Sequence, residues 1–376
     1  MSKRQQPYIY LACPWAPMGG GMYKVVDYLI QAQTEGAGTA DLRVLDTRGG
    51  GRAIFSPPIL ILAMFKVLFG RLSGRLVGLH VNMAERLSLF RKGALILLAR
   101  ALGLPVVLHL HAAQLHHFYR GLPGPLQWLV RWIFASASLV VVLGEQARRF
   151  VIEELGVPAS QVEILINGVP GSKEPRRAFD PNGPFNILFL GNLMERKGVS
   201  DLLKALASPE MKARQSKWHA RLAGGGDVEH YRALARTLGV PDNTEFVGWA
   251  DQAKAAKLIA HADVLILPSY DEGLPLVILE ALAKGVAVIA TPVGEIPAVL
   301  THGVDNWFVQ PGDVQGIANA FCTLMDNPPL RITLETGGAD IYTRKFSMDV
   351  FFRNVARIHQ ERFGFCASQS DRQQTS

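Results

Sequence analysis

The sequence predicts an α/β protein built from two doubly wound domains, and three observations carry that reading. Apolar, β-branched runs alternate with helical periodicity along most of the chain. The strand runs show no polar alternation, which marks parallel sheets covered on both faces. A stretch dense in Gly, Pro and charge, NGVPGSKEPRRAFDPNGP at 167–184, interrupts the pattern, which then restarts. At 376 residues the chain also exceeds one ordinary core, since a domain takes up roughly 150 residues.

In the first half the strand runs are 8–12 (YIYLA), 42–46 (LRVLD), 76–80 (LVGLH), 105–110 (PVVLHL), 138–143 (SLVVVL) and 162–166 (VEILI). Helical periodicity separates most of them, at 22–34, 85–102 and 145–155. In the second half, strands at 185–191, 218–224, 244–249, 263–268, 286–291 and 307–311 alternate with helices at 198–207, 227–238, 252–260 and 275–284. An amphipathic segment follows at about 347–363. These divisions set a first domain at 1–168, a linker at 169–184 and a second domain at 185–346. A C-terminal helix at 347–365 is expected to pack back on the first domain, with a disordered tail at 366–376.

Composition narrows the function classes. Apolar residues make up 49% and charged residues 19%, a globular balance. Cys13, Cys322 and Cys366 are scattered and lack metal-ligand spacing, so a reducing compartment and no disulfide framework are expected. The N-terminus reads as lacking a signal peptide, and the most apolar run, PPILILAMFKVLFGRL at 57–72, is broken by Lys66. Net charge is +7 and uneven: residues 1–170 hold 17 Lys and Arg against 9 Asp and Glu, the remainder 22 against 23. A basic excess confined to one half points to an anionic membrane surface rather than to nucleic acid.

Ligands of open parallel sheets bind beyond the carboxyl ends of the strands, so the residues after each strand are the candidates. CPWAPMGGGMYKV places Gly20 and Gly21 between a strand and a helix. They form either an anion-binding helix start or a tight turn without a ligand. The run VVLHLHAAQLHH puts His109 and His111 at a strand end, as structural or functional histidines. FLGNLMERKG places Arg196 and Lys197 as phosphate cations or as a solvated loop. LAGGGD reads as a turn with Asp227 as helix cap. In SYDEGLPLVILEAL, Glu272 precedes a helix start whose amides lack partners, Pro275 suits the first helical position, and Glu280 lies among apolar neighbours and needs a partner of its own.

The run EGLPLVILEALAKGVAVIATPVGE, with GNLMERKG, LAGGGD, FVGW, INGV, LHLHA and GGGMYKV in that order, resembles the family-4 retaining glycosyltransferases. The resemblance covers 185–312 strongly and 8–170 loosely. It implies the GT-B fold, two Rossmann-like domains facing across a cleft. It further implies a nucleotide-diphosphate sugar as donor, GDP-mannose or a UDP-hexose, and no cofactor or metal. Glu280 would hold the ribose and Glu272 a sugar hydroxyl. The amides of Gly273, Leu274, Leu276 and Val277 would surround the sugar and diphosphate. Lys197 would neutralise the leaving diphosphate, His111 would serve the donor sugar and leaving phosphate, and Gly20 and Gly21 would close on the diphosphate. Many relatives have arginine where this chain has Asn192, and Arg196 is the residue that could replace that charge. Same-face attack, with the leaving phosphate accepting the acceptor's proton, is the mechanism implied, and a covalent route is the alternative.

The acceptor is expected to be a saccharide or a polyprenyl-diphosphate-linked saccharide, used in surface or exopolysaccharide biosynthesis. The basic apolar segments around Lys66, Arg71 and Arg75, and around Arg86, Arg91, Lys92 and Arg100, are read either as a membrane-binding surface or as ordinary helices packed on a sheet. The expected location is cytoplasmic, peripheral on the inner face of the membrane, with no nucleic-acid partner. Competing readings are a sugar-nucleotide epimerase of the same fold and a non-catalytic scaffold.

Overall fold

The computed structural model describes residues 6–15, 20–34, 40–50, 56–112, 114–171, 175–177, 180 and 183–369. The chain divides into two compact units, Met1–Gly168 with Met348–Ser376, and Val169–Ser347.

The first unit opens with β1 (Tyr8–Cys13), α1 (Gly20–Ala32), β2 (Gln33–Thr34), β3 (Asp41–Asp46), α2 (Pro57–Leu72) and β4 (Leu76–Met83). It continues with α3 (Leu87–Ala101), β5 (Val106–Leu110), α4 (Leu115–Arg120), α5 (Gly124–Ala135), β6 (Leu139–Val142), α6 (Glu145–Glu153) and β7 (Val162–Ile164). Six of these strands form a parallel sheet in the order β3-β1-β4-β5-β6-β7. Strands β5 and β6 are buried throughout, as continuous apolar runs such as LVVV require when helices cover both faces.

The second unit runs through β8 (Phe185–Leu190), α7 (Val199–Leu206), α8 (Pro209–Lys212), β9 (Trp218–Ala223), α9 (Val228–Leu238), β10 (Thr244–Gly248) and α10 (Gln252–Ala260). It ends with β11 (Val264–Leu267), α11 (Leu276–Ala283), β12 (Ala287–Ala290), α12 (Ile296–Val299), β13 (Trp307–Phe308), α13 (Val314–Asp326), α14 (Pro328–Ile341) and a π-helical turn at Tyr342–Phe346. The sheet order is β10-β9-β8-β11-β12-β13, all parallel. Counted within the unit this is 3-2-1-4-5-6, whose reversal point lies between β8 and β11. The chain then returns to the first unit through α15 (Met348–Phe363) and β14 (Ser368–Gln369), which pairs antiparallel with β2.

Several details differ from the sequence expectations for physical reasons. Helix α2 shows no amphipathic signal because its sequence is apolar on nearly all sides, which also hid it from periodicity. Pro275 is not the first residue of α11. It sits one position earlier in extended conformation (φ −68°, ψ 128°), and its carbonyl accepts from the Ile278 amide at 3.1 Å. The strand expected over 307–311 pairs only at Trp307–Phe308. The expected cap is present: Asp227 caps α9, its carboxylate accepting from the His230 amide. Within the segment expected to link the domains, Arg176 pairs with Glu335 and Arg177 with Asp263; residues 172–174, 178–179 and 181–182 lie outside the described residues. The tail expected to be disordered from 366 is instead ordered as far as Gln369, because the edge of β2 supplies backbone partners for Ser368 and Gln369; residues 370–376 lie outside the described residues.

Candidate active site

The two loops that leave β8 and β11 part at the reversal point of the second sheet, and they bring Arg196 and Lys197 to Asp271 and Glu272. Lys197, at the end of the β8 loop, donates its ammonium to Oε1 of Glu272 in the β11 loop. The same oxygen accepts from Ser269 Oγ at 2.7 Å. Thr291, just after β12, fixes that serine by donating to its carbonyl at 2.5 Å. Arg196 donates to the Asp271 carbonyl at 2.5 Å, and its own carbonyl accepts from the Tyr270 amide. The two loops are therefore stitched by main-chain and side-chain bonds immediately beside the glutamate.

Two glycines explain how the loops come so close. A Cβ at Gly198 (φ +69°) would stand 2.0 Å from the Pro268 carbonyl oxygen, and one at Gly294 (φ +58°) 1.9 Å from that of Glu272. Only glycine accepts both the left-handed backbone and the contact. Glu272 is buried at 7% exposure, so its carboxylate is largely desolvated and a charged partner matters.

Helix α11 starts beside this pair with an extended proline and no capping side chain. Its first amides, at Leu276 and Val277, have no acceptor within the helix and provide an anion-favouring end. Gly273 and Leu274 precede it, and the Gly273 carbonyl accepts from the Glu295 amide. Glu280 is half-buried on α11 between buried Leu279 and Ala281. Asn192 is exposed on the β8 loop, next to the Gly224–Gly226 turn after β9. Trp249, exposed just after β10 and close to Gly225, was not singled out by sequence reasoning. A large aromatic directly after a strand was the available signal.

His111, Gly20 and Gly21 belong to the first unit. Gly20 and Gly21 are exposed and open α1, Gly20 with φ +68°. His111 follows β5, its amide donating to the Met83 carbonyl at the end of β4. Its Nε2 lies 2.9 Å from Asn82 Oδ1. With the amide oxygen facing it, Nε2 donates and Nδ1 is left as an acceptor. Burial, then the nearby His80 and Lys92, push this imidazole down to about 3, so it is neutral near physiological pH.

Behind His111 stands a chain of buried histidines. His80 Nδ1 lies 2.8 Å from His359 Nε2 on α15, and His80 Nε2 lies 3.2 Å from His109 Nδ1. The His109 and His111 rings are 4.1 Å apart. Asn82, His80 and His359 were not marked by sequence reasoning. The HVN alternation at the end of β4, which places His80 and Asn82 on one side, was the readable signal. Among the described residues no group of His, Cys, Asp and Glu is placed to hold a metal ion.

The comparisons with known proteins agree with this architecture. Residues 184–327 match the family model described as glycosyl transferases group 1, and residues 14–168 match a glycosyl transferase 4-like domain. The chain belongs to family 4 of the glycosyltransferases and has a GT-B-like fold. It is 27% identical over 239 residues to a glycogen synthase of Mycobacterium tuberculosis, covering 62% of this chain and 57% of that protein. It is 30% identical over 222 residues to a phosphatidyl-myo-inositol mannosyltransferase of Mycobacterium leprae, covering 58% of each chain. The matches thus span less than two thirds of either relative. Among solved structures, Anabaena HepE in complex with UDP and glucose matches with TM-score 0.72 at 18% identity, covering 94% of this chain and 99% of that one. Sucrose-phosphate synthase of Thermosynechococcus elongatus matches with TM-score 0.73 at 20% identity, covering 96% and 100%.

Proposed function

We propose that the chain is a retaining, metal-independent hexosyltransferase. It moves a mannose- or glucose-type hexose from GDP-mannose or a UDP-hexose to a saccharide or polyprenyl-diphosphate-linked acceptor, in surface or exopolysaccharide biosynthesis. The observation that carries this reading is the Lys197–Glu272 contact at the sheet's reversal point, beside the free amides of α11.

Breaking the anomeric bond leaves charge on a nucleoside diphosphate. Fixed donors aimed at that charge lower the barrier, and Lys197, Arg196 and the α11 amides are the groups available. On this reading the donor's phosphate competes with Glu272 for Lys197, while sugar hydroxyls replace the ammonium as donors to the carboxylate. Glu280 takes the ribose, Asn192 hydrogen-bonds the phosphate without adding charge, and Trp249 gives the base an apolar face. His111, neutral and with Nδ1 as its acceptor, accepts from a hydroxyl of the donor sugar. Gly20 and Gly21 allow backbone to approach the diphosphate. Same-face attack then passes the acceptor's proton to the leaving phosphate.

The one-sided basic charge supports an acceptor at an anionic membrane, with the protein peripheral on its inner face. Among the described residues no helix is long and apolar enough to cross a membrane. The test is a thermal-shift screen of nucleotide sugars, since a bound ligand stabilises the fold, followed by turnover with EDTA present and by NMR of the product anomer. An inverted product or chelator-sensitive turnover would overturn the mechanism. Epimerised donor in the absence of any acceptor would favour an epimerase instead.

A further inference from the structure

Helices α2, α3 and α5 pack side by side over the core of the first unit. Helix α2 lies against α3, and α3 against α5, where a Cβ on Gly93 would meet Ile133. Their inner residues, including Ala63, Val67, Leu95, Ile96, Ile133 and Phe134, share one buried cluster. The outer sides of α2 and α5 are the unusual part. On α2 the residues turned to solvent are Ile61, Leu62, Phe65, Phe69 and Leu72, with Phe69 65% and Leu72 72% exposed. On α5, Trp128 and Trp132 are exposed and stack at 5.8 Å between ring centroids. Phe65 and Phe69 stack in the same way at 6.4 Å.

Such a surface loses free energy to water unless something covers it. Charge indicates the occupant. Residues 57–144 contain nine Lys and Arg and one acidic residue, Glu85. None of α2, α3 or α5 contains an Asp or Glu. Lys66, Arg71, Arg86, Arg100 and Arg131 are exposed around the apolar face. An apolar, aromatic centre edged by cations of one sign fits an anionic bilayer surface: acyl chains take the Phe and Leu side chains, the headgroup layer takes the indoles, and the phosphates take Lys and Arg. A second copy of this face would set cations of the same sign against each other, whereas lipid phosphates neutralise them.

We propose that the outer faces of α2 and α5 form one interfacial docking surface, in which Phe65, Phe69, Trp128 and Trp132 enter an anionic lipid leaflet. The proposal rests on the membrane reading given above and assigns it to particular side chains. It shifts the emphasis from the charged α3 segment, much of which is buried, to the aromatic faces on either side of it.

The experiment uses the full chain with vesicles of phosphatidylcholine alone and of phosphatidylcholine with phosphatidylglycerol. Flotation measures binding, and quenching by brominated acyl chains measures indole depth. Binding is expected with the anionic vesicles, with quenching that Trp128→Phe/Trp132→Phe removes. Phe65→Ser/Phe69→Ser should weaken partitioning by roughly tenfold or more, while the thermal shift with a nucleotide sugar, read out from the other unit, stays as in the wild type. Anionic binding that survives both double variants would overturn the assigned face and leave the membrane reading standing. Absence of binding to either vesicle would overturn both. Concentration-dependent dimerisation removed by the phenylalanine variant, without lipid binding, would make the face a contact between copies and also overturn the proposal.

Discussion

Lys197 and Glu272 stand 75 positions apart in the chain, yet the ammonium of one rests on the carboxylate of the other. Neither is well hydrated, with side-chain exposures of 16% and 7%. The pair holds a cation and an anion at one point. Ser269 and Thr291 keep the glutamate in place from behind.

Substituting either partner should separate stability from turnover. Lys197→Ala leaves a buried carboxylate with one hydroxyl donor, and is expected to cost about 1–3 kcal/mol of stability. Turnover should fall by roughly a hundredfold or more, because the charge developing on the diphosphate loses its cation. Glu272→Gln should keep most of the stability and still lose turnover. Urea denaturation with a donor-consumption assay checks both, and wild-type turnover in either variant would refute the site.

Gly294→Ala should act through the same glutamate without touching charge. Its Cβ would collide with the Glu272 carbonyl, in a backbone region strained for alanine. A loss of about 2–4 kcal/mol is expected, along with weaker binding of the nucleotide sugar. Gly303, also left-handed but with nothing near its Cβ, serves as the control, and Gly303→Ala should cost only about 1 kcal/mol. Equal effects at both positions would show that close packing at Gly294 is unimportant.

Asn82 should prove to be the residue that sets the His111 tautomer. Asn82→Asp places a carboxylate at Nε2 and is expected to raise the His111 pKa, since an adjacent negative charge favours imidazolium. Titration of the ring by NMR reads this directly. Asn82→Ala should lower turnover by roughly tenfold to a hundredfold through loss of orientation, with little change in donor affinity. An unchanged titration in Asn82→Asp would remove the assigned hydrogen bond.

Acid should destabilise the first unit through its histidines. Burial pushes His80 down to about 4 and His111 to about 3, and holds His109 and His359 well below the usual range. The unfolded chain binds protons near the ordinary value of 6.5 while the folded chain does not. Their contribution is therefore complete above about 6.5 and is lost as pH falls towards 4 and 3. For His80 and His111 the loss between roughly pH 7 and pH 5 is about 2 kcal/mol each. Lys92, whose buried ammonium is pushed down to about 7, adds a slope of the same sign above that pH. Urea midpoints across this range check the trend, and His80→Phe should flatten it. A slope independent of His80 would count against the buried cluster as its source.

The sequence by itself determined the repeating strand and helix units, because apolar runs and 3.6-residue periodicity are local properties of the chain. It also marked Lys197, Glu272, Glu280 and the start of α11, since residues that follow strands in a doubly wound fold collect at one edge. What it left open were the relationships that depend on which strands become neighbours. The order 3-2-1-4-5-6 puts β8 next to β11 and so joins Lys197 to Glu272. The pairing of β4 with β5 likewise joins Asn82 to His111. Helix α2 shows the same limit from the other side: a helix apolar all round does not reveal which of its faces the sheet will cover. Only tertiary packing decided that Ala63 and Val67 point inward and leave Phe65 and Phe69 in water, because burial is a property of what lies opposite a residue and not of the residue itself.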